Sequence, residues 1–300
     1  MSISTCVRAA SAAAVALALA VSANAETPKP VQNYHLFRPT SLDAVKKQPL
    51  PPPSDMNYYG GPVFSDVKVM TVMWNSNVLQ ATQDGIPPFT QALVSSTYVD
   101  QMAEYHTKYR KAINGHKSTH QIINRGTYLG QVVLNPHNKA TVLQDSDVQA
   151  ELRRQIRKGV LPPQDYNTLY MVYFPADITI EIDGQASCVV FGAYHFATHD
   201  TQRAKPHNIF YSVEPECGSG FDYLTFAASH EFAEATTDNV PTPLVNPDYP
   251  QAWNDQTGYE IGDKCSGSGT LTSLAGSWEV TQYYLNSLHG CSVAATYTSP

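Results

Sequence analysis

The chain has 300 residues, a formal net charge of −7 and 15% charged residues, and its acids are dispersed rather than run together. That balance argues against nucleic acid or an anionic membrane as the partner, since both call for a clustered positive surface. The length suits one large domain or two small ones.

Residues 1–25 have the layout of a secretory signal. Arg8 supplies the positive region, Ala9 to Ala20 the short apolar run, and Ala23-Asn24-Ala25 the small-residue cleavage site. The run is shorter than the roughly 18 apolar residues of a membrane span, and no later stretch reaches that length. The mature chain is therefore expected to begin at Glu26, to lack a membrane span and to be secreted or periplasmic. Cleavage removes Cys6 and leaves Cys188, Cys217, Cys265 and Cys291. An even number in an exported chain favours disulfides, and no C-x-x-C pair argues for a metal. The local pairings Cys188–Cys217 and Cys265–Cys291 are expected.

Residues 26–56 are Pro-rich, densest at Leu50-Pro-Pro-Pro53, and read as an extended surface arm. A pro-segment covering a cleft is the sharper alternative. Residues 57–300 read as a single domain. After the turn Tyr58 to Val63, an apolar strand is expected over Val67–Trp74. A helix is expected over Ile86–His106, opened by Pro87-Pro88, with Phe89, Leu93, Tyr98, Met102 and Tyr105 at helical spacing. A second strand candidate is Gly126–Leu134. A second helix is expected over Asp145–Lys158, with Val148, Leu152 and Ile156 on one face and its basic residues toward the C-terminal end. Further strands are expected at Thr168–Phe174, Cys188–His195 and Asn208–Val213. A loop-rich lobe follows from residue 239, with a last strand at Ser277–Leu285.

The segment Ser219 to Asn239 reads as a helix that ends in weak helix formers and Pro241. Ser219 and Asp222 have capping-box spacing. Between Phe221 and Ser229 the single charge is Asp222, so the helix is apolar on most sides and expected to be buried. It carries H-E-x-x-E as His230, Glu231 and Glu234. His230 and Glu234 are i and i+4 and share a face. Glu231 stands where the related H-E-x-x-H motif of zinc peptidases places its general base. Unpaired, such buried groups would cost several kcal/mol each, and a metal ion relieves that cost. A buried His–Glu hydrogen-bonded pair is the plainer alternative.

A catalytic zinc takes three protein ligands and keeps one position open. Glu260 and Asp263 are the first candidates for the third ligand, with Asp238 and His195 as alternatives. A ligand set rich in carboxylates also admits other divalent cations. Calcium among Asp238, Asn239, Asp255 and Asp263 is a structural alternative. His195 and His199 are expected to be ordinary polar residues near a cleft. No G-x-S-x-G and no Gly-rich phosphate loop is present.

Tyr59-Gly-Gly-Pro-Val63, Ser229-His-Glu-Phe-Ala-Glu-Ala-Thr-Thr-Asp238, Ala252-Trp253, Glu260-Ile-Gly-Asp-Lys-Cys265 and the stretch from Val280-Thr-Gln282 to Cys291 follow one another in this chain. Together they resemble the EXORDIUM, or phosphate-induced, family of plants and its bacterial relatives, over roughly residues 57–292. The resemblance implies a secreted protein linked to extracellular matrix or envelope, and His230, Glu231, Glu234, Glu260 and Asp263 as the positions of interest. Asn239-Val240 stand where the family pattern has a Pro after Thr-Asp.

The combined expectation is an α/β (α+β) fold of zincin-like architecture, with a mixed sheet, a backing helix and a buried H-E-x-x-E helix. The expected function is metal-dependent hydrolysis of a peptide or protein substrate, using zinc and a metal-activated water. The second expectation is a non-catalytic envelope- or matrix-binding protein with a structural or vestigial metal site.

Overall fold

A computed structural model describes residues 36–199, 208–241, 249–292 and 296–300, with Met1 and Pro247. The expected signal segment lies outside the described residues. Among those described, no helix is long and apolar enough to cross a membrane.

Six strands make one mixed sheet: β1 (Leu36–Phe37), β2 (Asp66–Met73), β3 (Asn124–Val133), β4 (Thr168–Phe174), β5 (Ala193–His199) and β6 (Asn208–Pro215). Their spatial order is β1-β5-β6-β4-β2-β3. The pairs β3/β2, β2/β4 and β4/β6 are parallel, whereas β5 runs antiparallel to both β6 and β1. Parallel neighbours need long crossovers, and helices supply two of them. These are α1 (Gln80–Val94) after β2 and α2 (Asp145–Arg157) after β3.

Strand alternation sorts the core into two layers. Leu169, Met171 and Tyr173 of β4 face the layer that holds α1 and α3 (Phe221–Thr237). Tyr170, Val172 and Phe174 face the layer that holds α2. In β5, Tyr194 belongs to the α2 layer, and Ala193 packs in a small cluster with Phe226 and Ala227 of α3. The two-residue period then places His195 on the α3 side.

Every residue of α3 from Tyr223 to Thr237 is buried. Its polar side chains are absorbed locally: Thr236 donates to Phe232 O and Ser229 to Phe226 O, while Ser229 Oγ also accepts from Thr281 N. That last bond ties α3 to the hairpin β7 (Ser268–Ser273) and β8 (Gly276–Thr281).

Several boundaries differ from expectation for identifiable reasons. Gly220, not Ser219, is the N-cap of α3, because the Ser219 hydroxyl donates to Thr40 O at 2.6 Å. α1 begins at Gln80 and contains Pro87 and Pro88, which had been read as its start. The expected continuation to His106 breaks at Ser95 and restarts as Thr97–Met102, capped by Ser96. β5 starts at Ala193 rather than Cys188, since Cys188 sits at φ 62° in a turn closed by its N–H donating to Phe191 O. The last expected strand splits at Gln282-Tyr283, and its partner β7 lies in a stretch read as loop. Both disulfides join the expected cysteines, Cys188–Cys217 and Cys265–Cys291.

The described part of the Pro-rich arm is structured rather than a free linker. β1 pairs with β5, and residues Leu42–Lys47 form a helix capped by Ser41.

Candidate metal centre

Three elements deliver the polar groups beneath α3. The helix contributes His230, Glu231 and Glu234, and β5 contributes His195. The loop between Asp255 and Cys265 contributes Glu260 and Asp263. His195, His230, Glu231, Glu234 and Glu260 are at most 2% exposed. Asp263 has a side chain 14% exposed.

His230 Nε2 lies 3.0 Å from Glu234 Oε1 and 3.9 Å from Asp263 Oδ1. His195 Nδ1 lies 3.1 Å from Glu231 Oε2 and 3.8 Å from Glu234 Oε2, and its Nε2 is 3.6 Å from Glu260 Oε1. Donor atoms around a tetrahedral metal with bonds of 2.0–2.1 Å sit roughly 3.3–3.4 Å apart. These separations bracket that value. One atom from each of His195, Glu234 and Glu260 falls within 4.8 Å of the others, as does one from each of His230, Glu231 and Glu234. Buried His/Glu groups are thus placed where they could hold a metal ion.

The hydrogen-bond geometry fits such an ion. The contact of His230 Nε2 with Glu234 is close, but its angles are not those of a hydrogen bond, and neither ring nitrogen of His230 has a hydrogen-bond partner. Burial lowers the pKa of His230 to about 4, against a smaller upward pull from Asp263 and Glu260. The ring is therefore neutral at physiological pH, the form that ligates metals. Burial raises the Glu231 carboxyl well above its usual range, and Glu234, Glu214, Glu260 and Asp263 push the same way. Its Oε1 has no hydrogen-bond partner. A cation placed among these carboxylates would reverse that push.

The loop that brings Glu260 and Asp263 is held on several sides. The Asp263 N–H donates to Glu234 Oε1 at 3.1 Å, and the Glu260 N–H donates to Asp263 Oδ2 at 3.2 Å. Gly262 permits this approach: a Cβ there would lie 2.7 Å from the His230 ring and 2.8 Å from Glu234 Oε1. Asp255 accepts from Thr257 and Tyr259 and pairs with buried Lys264 at 2.7 Å. Cys265 then fastens the loop to Cys291.

The structure sorts the alternatives for further ligands. Asp263 neighbours His230, whereas Glu260 neighbours His195. Asp238 Oδ1 accepts from Ala252 N, and its backbone oxygen receives His195 Nε2 at 3.1 Å, so Asp238 orients the ring of His195. Asp255 is ion-paired to Lys264, which removes it from a calcium set with Asp238, Asn239 and Asp263. His195, expected as an ordinary polar residue, is 1% exposed at the centre of the cluster, while His199 on the same strand is exposed.

Three contributors were invisible in the motif. Glu214 of β6 is buried on the α3 side, where burial pushes its pKa up to about 8 against a smaller opposing pull from Ser212. Gly262 was read only as part of a loop. Phe37 of the arm lays its ring 4.3 Å, centre to centre, from the ring of His230. Strand alternation could have flagged Glu214; nothing in the sequence pairs Phe37 with His230. Beside this contact a cavity of about 360 Å³ is lined by Leu36, Arg38, Pro39, Ala44, Gln48 and Pro49 of the arm together with Tyr259 and Asp263.

No family model matches the chain, and no curated protein or solved structure matches it. The resemblance to the EXORDIUM family therefore rests on the quoted motifs alone.

Proposed function

We propose that this chain is a metal-dependent hydrolase of zincin-like type that cleaves peptide bonds outside the cytoplasm. The observation that carries this reading is the convergence of His195, His230, Glu231, Glu234 and Glu260 in one buried cluster. His230 and Glu234 would hold the ion, with Asp263 the nearest further carboxylate to His230. Zinc is the first candidate, and the carboxylate-rich set also suits manganese. When bound, such an ion polarises a carbonyl and lowers the pKa of water.

The chain's own groups would divide the remaining work. Glu231, close to both His230 and Glu234, takes the proton from the attacking water and returns it to the leaving amine. Its proton affinity, raised by burial and by neighbouring acids, suits it to accept a proton near neutral pH once a cation offsets part of that rise. His195 holds Glu231 in place through the 3.1 Å contact and is itself held by the Asp238 carbonyl. The cavity beside Asp263 offers room for a substrate side chain.

Two observations favour the second reading, a closed structural metal site in a protein that binds envelope or matrix material: Glu231 has no exposed surface, and the arm packs directly on His230. The two readings part on experiment. Purified protein analysed for metal at neutral pH should contain bound divalent ion and cleave casein or a peptide library. Glu231→Gln should keep the ion and lose the cleavage. An ion-free folded protein would defeat both readings, and ion without any cleavage by the unmutated chain would leave only the structural one.

A further inference from the structure

We propose that the centre is binuclear, with Glu234 as the carboxylate shared by two ions; this rests on the metal reading above. The donors are too many and too spread for one ion. A catalytic zinc takes three protein ligands, yet two imidazoles and four carboxyl groups surround this point. An ion with bonds of about 2.1 Å spans at most roughly 4.2 Å between opposite donors. Among the described residues, no group of donors within 4.8 Å contains both His195 and His230. One ion therefore cannot take both histidines as they stand.

The donors divide around Glu234. Its Oε1 faces His230 at 3.0 Å, and Asp263 lies 3.9 Å from the same ring nitrogen. Its Oε2 faces His195 at 3.8 Å, and Glu260 lies 3.6 Å from the other nitrogen of that ring. Each half thus has one imidazole and one oxygen of the shared carboxylate; Glu260 completes the group around His195, and Glu231 has an atom within 4.8 Å of both His230 and Glu234. A pair of divalent ions about 3.5–4 Å apart can clamp the attacking and leaving oxygens of a hydrolysis. Two independent features point to ligands: the ring nitrogens of His230 and the Oε1 of Glu231 are buried without hydrogen-bond partners. Glu231 stands beside both halves, 3.1 Å from His195 Nδ1 and within the His230 group.

The two halves differ in support. The His230 half sits beside the arm cavity. The His195 half lies deeper, between β5 and α3, with Glu260 fully buried. The outer ion should exchange faster.

The full exported chain, stripped with a chelator, reloaded with zinc and dialysed, is analysed for zinc per chain. Two ions are expected. His195→Gln and His230→Gln should each bind one, with circular dichroism unchanged. One ion in the unmutated chain overturns the binuclear centre and leaves the hydrolase reading standing, whereas none overturns both. Two ions retained in His195→Gln would also overturn it. Should either variant fail to fold, the unmutated chain loaded with manganese decides by electron paramagnetic resonance. A spin-coupled pair is expected, and only isolated six-line signals would overturn the proposal.

Discussion

Tyr194 and His195 are neighbours in β5, point to opposite faces of the sheet, and each meets a buried carboxyl group. On the α2 face, Asp145 accepts hydrogen bonds from Tyr194 at 2.7 Å, Tyr211 at 2.6 Å and Gln149 at 2.6 Å. Burial still raises its pKa, but three donors work against that rise. On the α3 face, Glu231 meets the imidazole of His195 and is otherwise pushed upward by further acids. The contrast teaches how to read a buried acid. One that serves the fold comes with its donors built in. One crowded by further acids, as Glu231 is, favours a positive charge placed beside it.

The largest expected effect tests that contrast directly. Glu231→Gln should lower kcat for peptide cleavage by about 10²–10⁴-fold, the range for losing a general base, with metal content intact. The matching change on the other face, Asp145→Asn, should leave turnover unaltered. A fall in kcat there comparable to that of Glu231→Gln would end the distinction between the two faces.

Gly262→Ala comes next. The added methyl has nowhere to go beside His230 and Glu234, so the loop must shift. Metal affinity should fall by about 10–100-fold, as when a group supporting a ligand is lost. Titration with a competing chelator measures this, and an unchanged affinity would show that the loop does not position the donors.

Asp145→Asn itself should cost about 1–3 kcal/mol in urea unfolding, because hydroxyl donors lose a charged acceptor in a buried place. Unaltered stability would mean that the α2 face does not depend on this carboxylate.

The last effect is in pH and is spread over several units. Glu214 has a folded pKa of about 8, above its ordinary 4.5. Its contribution is fully present below about pH 4.5 and is lost as pH rises toward 8, at most about 1.4 kcal/mol per unit. Chelated protein should therefore weaken over that window, and Glu214→Gln should flatten the slope. His230, with its pKa lowered to about 4 from 6.5, has the opposite sign, weakening the fold as pH falls from 6.5 to 4. Equal slopes for Glu214→Gln and the parent would remove Glu214 as their source.

Much of this arrangement was legible in the residues. The apolar run Thr168–Phe174 became β4 with the same ends, since a strand buried on both faces shows itself as a short continuous apolar stretch. The i, i+4 spacing brought His230 and Glu234 together, and four cysteines gave the two cross-links. What escaped was set by tertiary contacts. The hairpin Ser268–Thr281 is rich in Gly, Ser and Thr and reads as loop until β8 packs on α3. Two consecutive prolines hid the first turns of α1. His195 looked ordinary because its carboxyl partners lie 36, 39 and 65 positions away.

The pairing of β1 with β5 has a consequence for how this sheet assembles. Leu36 and Phe37 align with Tyr194 and Ala193 on one edge of β5, while β6 aligns six residues on the other. A slip of one position would turn Tyr194 toward the glutamates and His195 toward Asp145, handing each acid the partner meant for the other. The two residues of β1 add to the six of β6 in holding that register, so the Pro-rich arm that carries them shares in keeping His195 on the α3 side and Tyr194 on the α2 side.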